Sequence, residues 1–425
     1  MKYVTTLDPS LSLSFEQALF QGLGTDSSLI VPQSFPHINP SLLMNKSIPT
    51  IGTVLLKPFL REDIDSKSLN NIMARAWTFP FPLVTVGDSY ILELFHGPTA
   101  SFKDIAAQFL GKIMEFFLRD TQKEIVIATA TSGDTGGAVA AGFGNKKNIK
   151  VVILYPINGV SAVQRSQLTH VADNIYPIEV DGSFDDCQKY VKQFFHEQKL
   201  INLNITSANS INIGRLLPQM SYYAYAWSKM RKNNLRFIIP SGNMGNVTAG
   251  LYVKRVGIPI SQFHIACNAN DPVLKYFETG KYKPQQSKKT ISNAMDIGNP
   301  SNFERILHLY NNDLTLLSKD VTVSSTNDEE TIKTIKDVYR THNYLLDPHT
   351  AVAWTASQKT KSADYTDIII ATASPSKFVE EIELNTGFHC DTLDRPISSQ
   401  QLSNRRYSVD NSYDAILNQM ITLFA

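Results

Sequence analysis

The sequence predicts an α/β protein built on parallel sheets, and three observations lead there. From Glu124 onward, short β-rich runs alternate with helical patterns. Three of those runs end in loops rich in small and hydroxyl residues, two of them glycine-containing. Residues 1–90 lack the alternation and are broken up by proline and serine.

Taken in order, "VPQSFPHINPSL" and "TFPFPLV" punctuate the N-terminal stretch, with a short helical pattern at "SFEQALFQGLG". "EIVIATA" then reads as a strand, "GAVAAGFG" as a small-residue helix and "IKVVILYP" as a second strand. "NIYPIEVDG" is a third strand, and Ser183 is placed to cap the helix "SFDDCQKYVKQFFHEQ". "LRFIIP", "FHIACNAN" and "TDIIIATA" supply strands further on, with "VTAGLYVKRVG" and "SPSKFVEEIE" as helices. No repeat at a fixed period interrupts this order.

At 425 residues, two or three domains are the expectation. Apolar residues make up 43% and charged residues 19%, which suits a globular protein with a large interior. Forty basic against 39 acidic residues leave a net charge of +1, which argues against a broad grip on nucleic acid or a membrane surface. Any bound anion must therefore be held by a local device. The three cysteines are scattered and the nine histidines include no H-E-x-x-H, so neither disulfides nor a metal site is expected. The N-terminus reads as neither a signal nor a transit peptide, and no run approaches the roughly 18 apolar residues of a membrane span. A cytoplasmic enzyme is the expectation.

The three loops are "TSGDTGG" (131–137), "PSGNMGN" (240–246) and "ATASPSK" (371–377). The first two put glycines, hydroxyls and amides directly before a helix, where unpaired N–H groups and the helix dipole attract an anion. Neither is a P-loop or a dinucleotide fingerprint. Each alone also reads as an ordinary strand-to-helix turn; two of them suggest two anionic groups in one cleft. Lys103 follows the Gly-Pro turn of "HGPTASFKD". Helical phase puts Phe102, Ile105, Ala106, Phe109, Leu110, Ile113, Met114 and Phe117 on one stripe, with Lys103 about 70° from its centre. Asp104 is expected to point away from that stripe. Lys103 reads either as a lysine that reaches water along its stem or as a desolvated amine able to form a Schiff base. Together with two anion loops, the second reading supplies the parts needed to hold pyridoxal phosphate and an amino acid.

With those residues in view, the chain resembles the threonine synthase family in its long form, within the tryptophan-synthase-β-like class. Seven separated motifs carry the resemblance in order: "ALFQGLGTDSSLIVP", "LFHGPTASFKD", "TATSGDTGGAVA", "SANSINIGR", "PSGNMGNVTAGL", "SNAMDIGNPSNFER" and "ATASPSKF". The resemblance implies the fold type II pyridoxal-phosphate architecture, with the cofactor between two parallel-sheet α/β domains and an added N-terminal domain. The boundaries expected are 1–90 for the N-terminal domain, 91–115 with 215–425 for the large domain, and 116–214 for the small domain closing over substrate. It further implies Lys103 as the Schiff-base lysine. Gly242, Asn243, Met244, Gly245 and Asn246 become the cradle of the cofactor phosphate, and Thr372 the partner of the pyridine nitrogen. Thr131, Ser132 and Thr135 would hold the substrate carboxylate. Asn209 and Arg215 are candidates for the substrate phosphate, an arginine cap in that turn being the alternative. The family pattern S-G-N-F-G-D is altered at Met244 and Asn246, and A-H-P-A-K-F has Ser374 in place of its histidine.

The reaction implied is the conversion of O-phospho-L-homoserine and water to L-threonine and phosphate. A serine/threonine dehydratase-like enzyme or a phospho-lyase of the same class is the alternative. A monomer is expected, with a dimer left open, and neither nucleic acid nor membrane is expected as a partner.

Overall fold

The computed structural model describes residues 1–60, 62–390 and 403–424. The N-terminal stretch forms β1 (Tyr3–Thr5), α1 (Phe15–Gln21), β2 (Ile30–Pro32), α2 (Ile48–Leu60) and α3 (Ser66–Ala76). Ser14 and Gln17 close a reciprocal capping box on α1, which fixes where that helix starts. β1 and β2 pair antiparallel. The sequence suggested a separate N-terminal piece, but its apolar residues do not form a core of their own. Phe15, Leu55 and Phe59 belong to the same buried cluster as Phe109, Ile127 and Phe237. Trp77 Nε1 donates to Ile105 O at 2.9 Å and ties the end of this stretch to the helix that carries Lys103.

The chain then enters the larger sheet through the hairpin β3 (Leu83–Val86) and β4 (Ser89–Glu93), so a boundary at residue 90 would cut a strand pair. Helix α4 (Lys103–Leu118) leads into β5 (Ile125–Ala130), α5 (Asp134–Phe143), β6 (Ile149–Pro156) and α6 (Ala162–Thr169). β7 (His170–Val171), β8 (Ile175–Val180), α7 (Phe184–Phe194) and β9 (Ile205–Ser207) complete the insertion. After α8 (Ile213–Leu216) and α9 (Met220–Met230) the chain returns through β10 (Leu235–Pro240), α10 (Gly245–Arg255), β11 (Gln262–Cys267), β12 (Val321–Ser325) and β13 (Thr366–Ala371).

The larger sheet has the order β12-β11-β10-β13-β4-β3, parallel except for β3. The predicted strands "LRFIIP" and "TDIIIATA" are its centre, buried along most of their length as apolar runs in a parallel sheet should be. The smaller sheet runs β9-β5-β6-β8 and ends on a strand from the C-terminus, β15 (Tyr407–Val409); the short β14 (Ser403–Asn404) pairs with β7. This corrects the expectation that residues 215–425 all belong to the large domain. β8 would otherwise be an open edge, and the tail closes it. Ile416, Leu417 and Met420 of the last helix then pack into the core of Val126, Ile178 and Phe194. Within that expected range, residues 391–402 and 425 lie outside the described residues.

Helices α4 and α5 cross in close contact because glycines face the crossing. A Cβ on Gly111 would lie 2.2 Å from Gly142 O, and one on Gly142 would lie 2.6 Å from Ala107 O. Both helices begin at the same end of the crossing, one with Lys103 and the other with Asp134. No described helix is long and apolar enough to cross a membrane.

Candidate active site

The loops that follow β4, β5, β9, β10 and β13 meet at the carboxyl ends of both sheets, where a parallel α/β fold leaves a crevice. All twelve residues singled out in the sequence line this one cleft. Lys103 opens α4, held in place because Phe102 N donates to Thr372 O at 2.8 Å and Ser374 N to Ala100 O at 3.0 Å. Those backbone pairs bring Thr372 and Lys103 to the same wall. Asp104 does not point away from the apolar stripe. It is fully buried, accepts from Thr99 N at 2.8 Å and Thr99 Oγ1 at 2.7 Å, and burial pushes its carboxyl up to about 6. The periodicity was misleading here because α4 is covered on nearly every side.

Residues 241–246 wrap the N-terminus of α10. Met244 turns the chain into the helix with φ 59°, and a Cβ on Gly242 would lie 2.9 Å from Ala294 O. Asn243 Nδ2 donates to Ser210 Oγ at 2.7 Å, while its Oδ1 accepts from Ser301 N at 2.6 Å. Asn246 Oδ1 accepts from the hydroxyls of Tyr222 and Tyr223 at 2.5 and 2.6 Å. Two donors on the oxygen leave the amide N–H side as the free one, and among the described residues neither the buried Asn246 Nδ2 nor Ser241 Oγ has a partner. Unpartnered donors beside a helix N-terminus are what a phosphate needs, so these residues fit the phosphate group of pyridoxal phosphate.

In the loop after β5, Thr131 Oγ1 accepts from Gly133 N and Gly136 N, both at 2.9 Å, and so shapes the turn while keeping its own proton to donate. Ser132 and Thr135 line the cleft beside it. Asn209 grips the end of β5 from the neighbouring loop: its Nδ2 donates to Ala130 O at 2.7 Å and its Oδ1 accepts from Ala130 N at 3.1 Å. Arg215 is buried, and one of its terminal nitrogens donates to Ala208 O at 2.7 Å while Nε has no partner. Burial pushes its guanidinium down to about 10.

Several residues of this site were not identified from the sequence. Asp134 sits between Lys103 and Lys377, with Nζ to carboxylate distances of 3.5 and 2.8 Å. Burial opposes its charge, yet the two lysines hold the carboxyl well below the usual range. Lys103, largely withdrawn from water on the cleft wall, is pushed down by desolvation, against the pull of Asp134. His349 also lines the cleft. Its Nε2 accepts from Ala294 N at 3.2 Å, which makes Nδ1 the protonated nitrogen that donates to Asp347 at 2.8 Å. Buried Arg305 joins three segments by donating to Ile30 O, Ile211 O and Asn302 Oδ1 at 2.8, 2.6 and 2.6 Å. Asp134, Lys377 and Arg305 all lie inside motifs quoted above, but nothing in their spacing announces that they meet. His96 stands outside the cleft, with Nε2 2.6 Å from Glu93 Oε2 and its ring stacked on Phe95.

Comparison with known proteins agrees with this geometry. Residues 86–370, well over half of the chain, match the family described as pyridoxal-phosphate dependent enzyme, and residues 2–77 match the threonine synthase N terminus. A threonine synthase of Escherichia coli is 36% identical, the match covering 93% of both chains. The chain belongs to the threonine synthase family. The crystal structure of threonine synthase from Escherichia coli superposes with a TM-score of 0.93 at 34% identity, covering 100% of both chains. A pyridoxal-phosphate-bound threonine synthase from Brucella melitensis superposes at 0.90 with 32% identity, covering 99% of this chain and 98% of that one. The fold is thus that of the fold type II pyridoxal-phosphate enzymes, and the cofactor of the family is pyridoxal phosphate.

Proposed function

We propose that this chain converts O-phospho-L-homoserine and water into L-threonine and inorganic phosphate. The observation that carries the reading is the convergence on one cleft of Lys103, an anion cradle at the start of α10 and a second cationic corner at Arg215. One cradle serves the cofactor phosphate, and the other serves a substrate that brings a phosphate of its own.

Pyridoxal phosphate, when bound, supplies an aldehyde that captures an amino group and a conjugated ring that takes up the electron pair left by a departing proton. Residues 242–246, with Ser241, would hold its phosphate, and the Thr372 hydroxyl would serve as partner to the pyridine nitrogen. A neutral hydroxyl there leaves the ring less electron-hungry than a carboxylate would. Thr131, Ser132 and Thr135 hold the substrate carboxylate through donated hydrogen bonds. Lys103 is the base that moves protons at the α- and β-carbons of the substrate. Asn209 and Arg215 hold the phosphate that leaves the γ-carbon, keeping it at hand to activate the water that adds at the β-carbon. We further propose that residues 116–214 close over the substrate, and that the protein works in the cytoplasm as a monomer that binds neither nucleic acid nor membrane. The near-neutral net charge of +1 and the scattered spacing of the cysteines support that setting.

The test is a product analysis with purified protein, pyridoxal phosphate and O-phospho-L-homoserine. Threonine and phosphate should appear in equal amounts and both should vanish in Lys103→Ala. Phosphate with a keto acid and no threonine would instead identify a phospho-lyase, and neither product would sink the substrate assignment. Light scattering at twice the chain mass would overturn the monomer.

A further inference from the structure

Asp134 is a buried carboxylate placed between two lysines that are not equivalent. Lys377 has a side chain 0% exposed, and its Nζ has three acceptors: Asp134 Oδ1 at 2.8 Å, Thr99 O at 2.8 Å and Gln167 Oε1 at 3.0 Å. An amine meets three acceptors only with three N–H groups, so Lys377 is held as an ammonium by geometry. Lys103 faces the other oxygen, Asp134 Oδ2, at the longer distance of 3.5 Å, with 17% of its side chain exposed on the cleft side. Gln164 Nε2 donates to Asp134 Oδ1 at 2.9 Å and keeps the carboxylate turned toward Lys377.

We infer that Lys377 is a positioning residue: it claims the Asp134 carboxylate as its own counter-ion, so that the carboxylate cannot hold Lys103 as an ammonium and the Lys103 amine is free to bond to and leave the cofactor aldehyde. A single lysine against a single buried carboxylate would form a closed ion pair, and the amine would be a poor nucleophile. A second, fixed ammonium neutralises the carboxylate beforehand, so the charge on Lys103 can come and go without leaving a buried anion unpaired. The other charged groups around Lys103 act in the same sense. Arg215 on α8 adds a cation, and the Asp104 carboxyl is occupied by Thr99. Burial works in the same direction, since it favours the neutral amine.

This inference rests on the proposed attachment of the cofactor to Lys103, and one titration separates the two. The visible absorption band of the holoenzyme, followed against pH, reports protonation of the nitrogen that joins Lys103 to the cofactor. In Lys377→Met the carboxylate faces that nitrogen alone, so the midpoint should rise by about one pH unit or more. In Asp134→Asn the carboxylate is gone and the midpoint should fall, while Lys377→Arg, which keeps the charge, should stay near the wild type. Should Lys377→Met fail to fold, a midpoint that falls in Asp134→Asn and holds in Lys377→Arg still decides the matter. A residue with a merely structural role would lower thermal stability and leave the midpoint alone. A band whose midpoint moves in none of the variants, or moves the same way in all, overturns this inference alone. Absence of any band attached to Lys103 overturns the cofactor reading and this inference with it.

Discussion

At the scale of single residues, two buried aspartates near Lys103 respond oppositely to their surroundings. Asp134 has two lysines beside it and is held below the usual carboxylate range, so its contribution to stability is present above roughly pH 4 and lost only in stronger acid. Asp104 lacks a dedicated cation, and burial pushes it up to about 6. Its folded value lies above its unfolded one, so the folded form binds the proton more tightly. Its contribution is complete below about pH 4 and is lost as pH rises toward 6. Urea unfolding of the wild type and Asp104→Asn at pH 4.5 and 6.5 should show the wild-type advantage shrinking by on the order of 2 kcal/mol at the higher pH. Parallel pH dependences would refute this. The Tyr222–Asn246–Tyr223 contact makes a related point about legibility. Asn246 stood out in the sequence as a departure from a family carboxylate. What turns its amide nitrogen outward is two tyrosine hydroxyls on a different helix, in a segment that none of the quoted motifs covers.

At the scale of elements, the crossing of α4 and α5 fixes the distance between the residues that open them. Lys103 and Asp134 face each other because Gly111, Gly142 and Ala107 let two helices approach backbone to backbone. Gly111→Ala places a methyl against a carbonyl oxygen that has no room to retreat, which costs about 1–3 kcal/mol and pushes the helix starts apart. The expected result is a thermal midpoint several degrees lower together with faster loss of bound cofactor on dialysis. Wild-type values for both would show that the crossing does not set the site. The strands were legible because parallel, doubly covered strands are continuous apolar runs, and "IVIATA" and "LRFIIP" are buried throughout. The outward side of α4 was not, because helical phase assumes one wet face and this helix has almost none.

At the scale of the whole molecule, Arg305 is the peg that joins the N-terminal strand β2 to the turn carrying Ser210 and Ile211 and, through Asn302, to the loop that opens α10. Arg305→Met removes every one of those donors and strands several buried carbonyl oxygens at about 1–3 kcal/mol each. Limited proteolysis should then cut within residues 2–77 sooner than in the wild type, and the KM for the phosphorylated substrate should rise as the turn bearing Asn209 relaxes. Unchanged proteolysis and KM would reduce Arg305 to an ordinary core residue. The C-terminal strand β15 belongs to the same scale: it pairs parallel with β8 at the edge of the small sheet, more than 200 residues away in sequence.

The sequence by itself determined the alternation of strands and helices, the loops at strand ends, the family and the twelve residues around the cleft, because each rests on a local pattern or an ordered motif. Only the tertiary structure decided that Lys377 and Lys103 share Asp134, that Asp104 is buried, that one arginine joins three segments and that the tail closes the small sheet. Those facts depend on which distant segments are brought within a few ångströms of one another, and a desolvated charge is created by that packing alone.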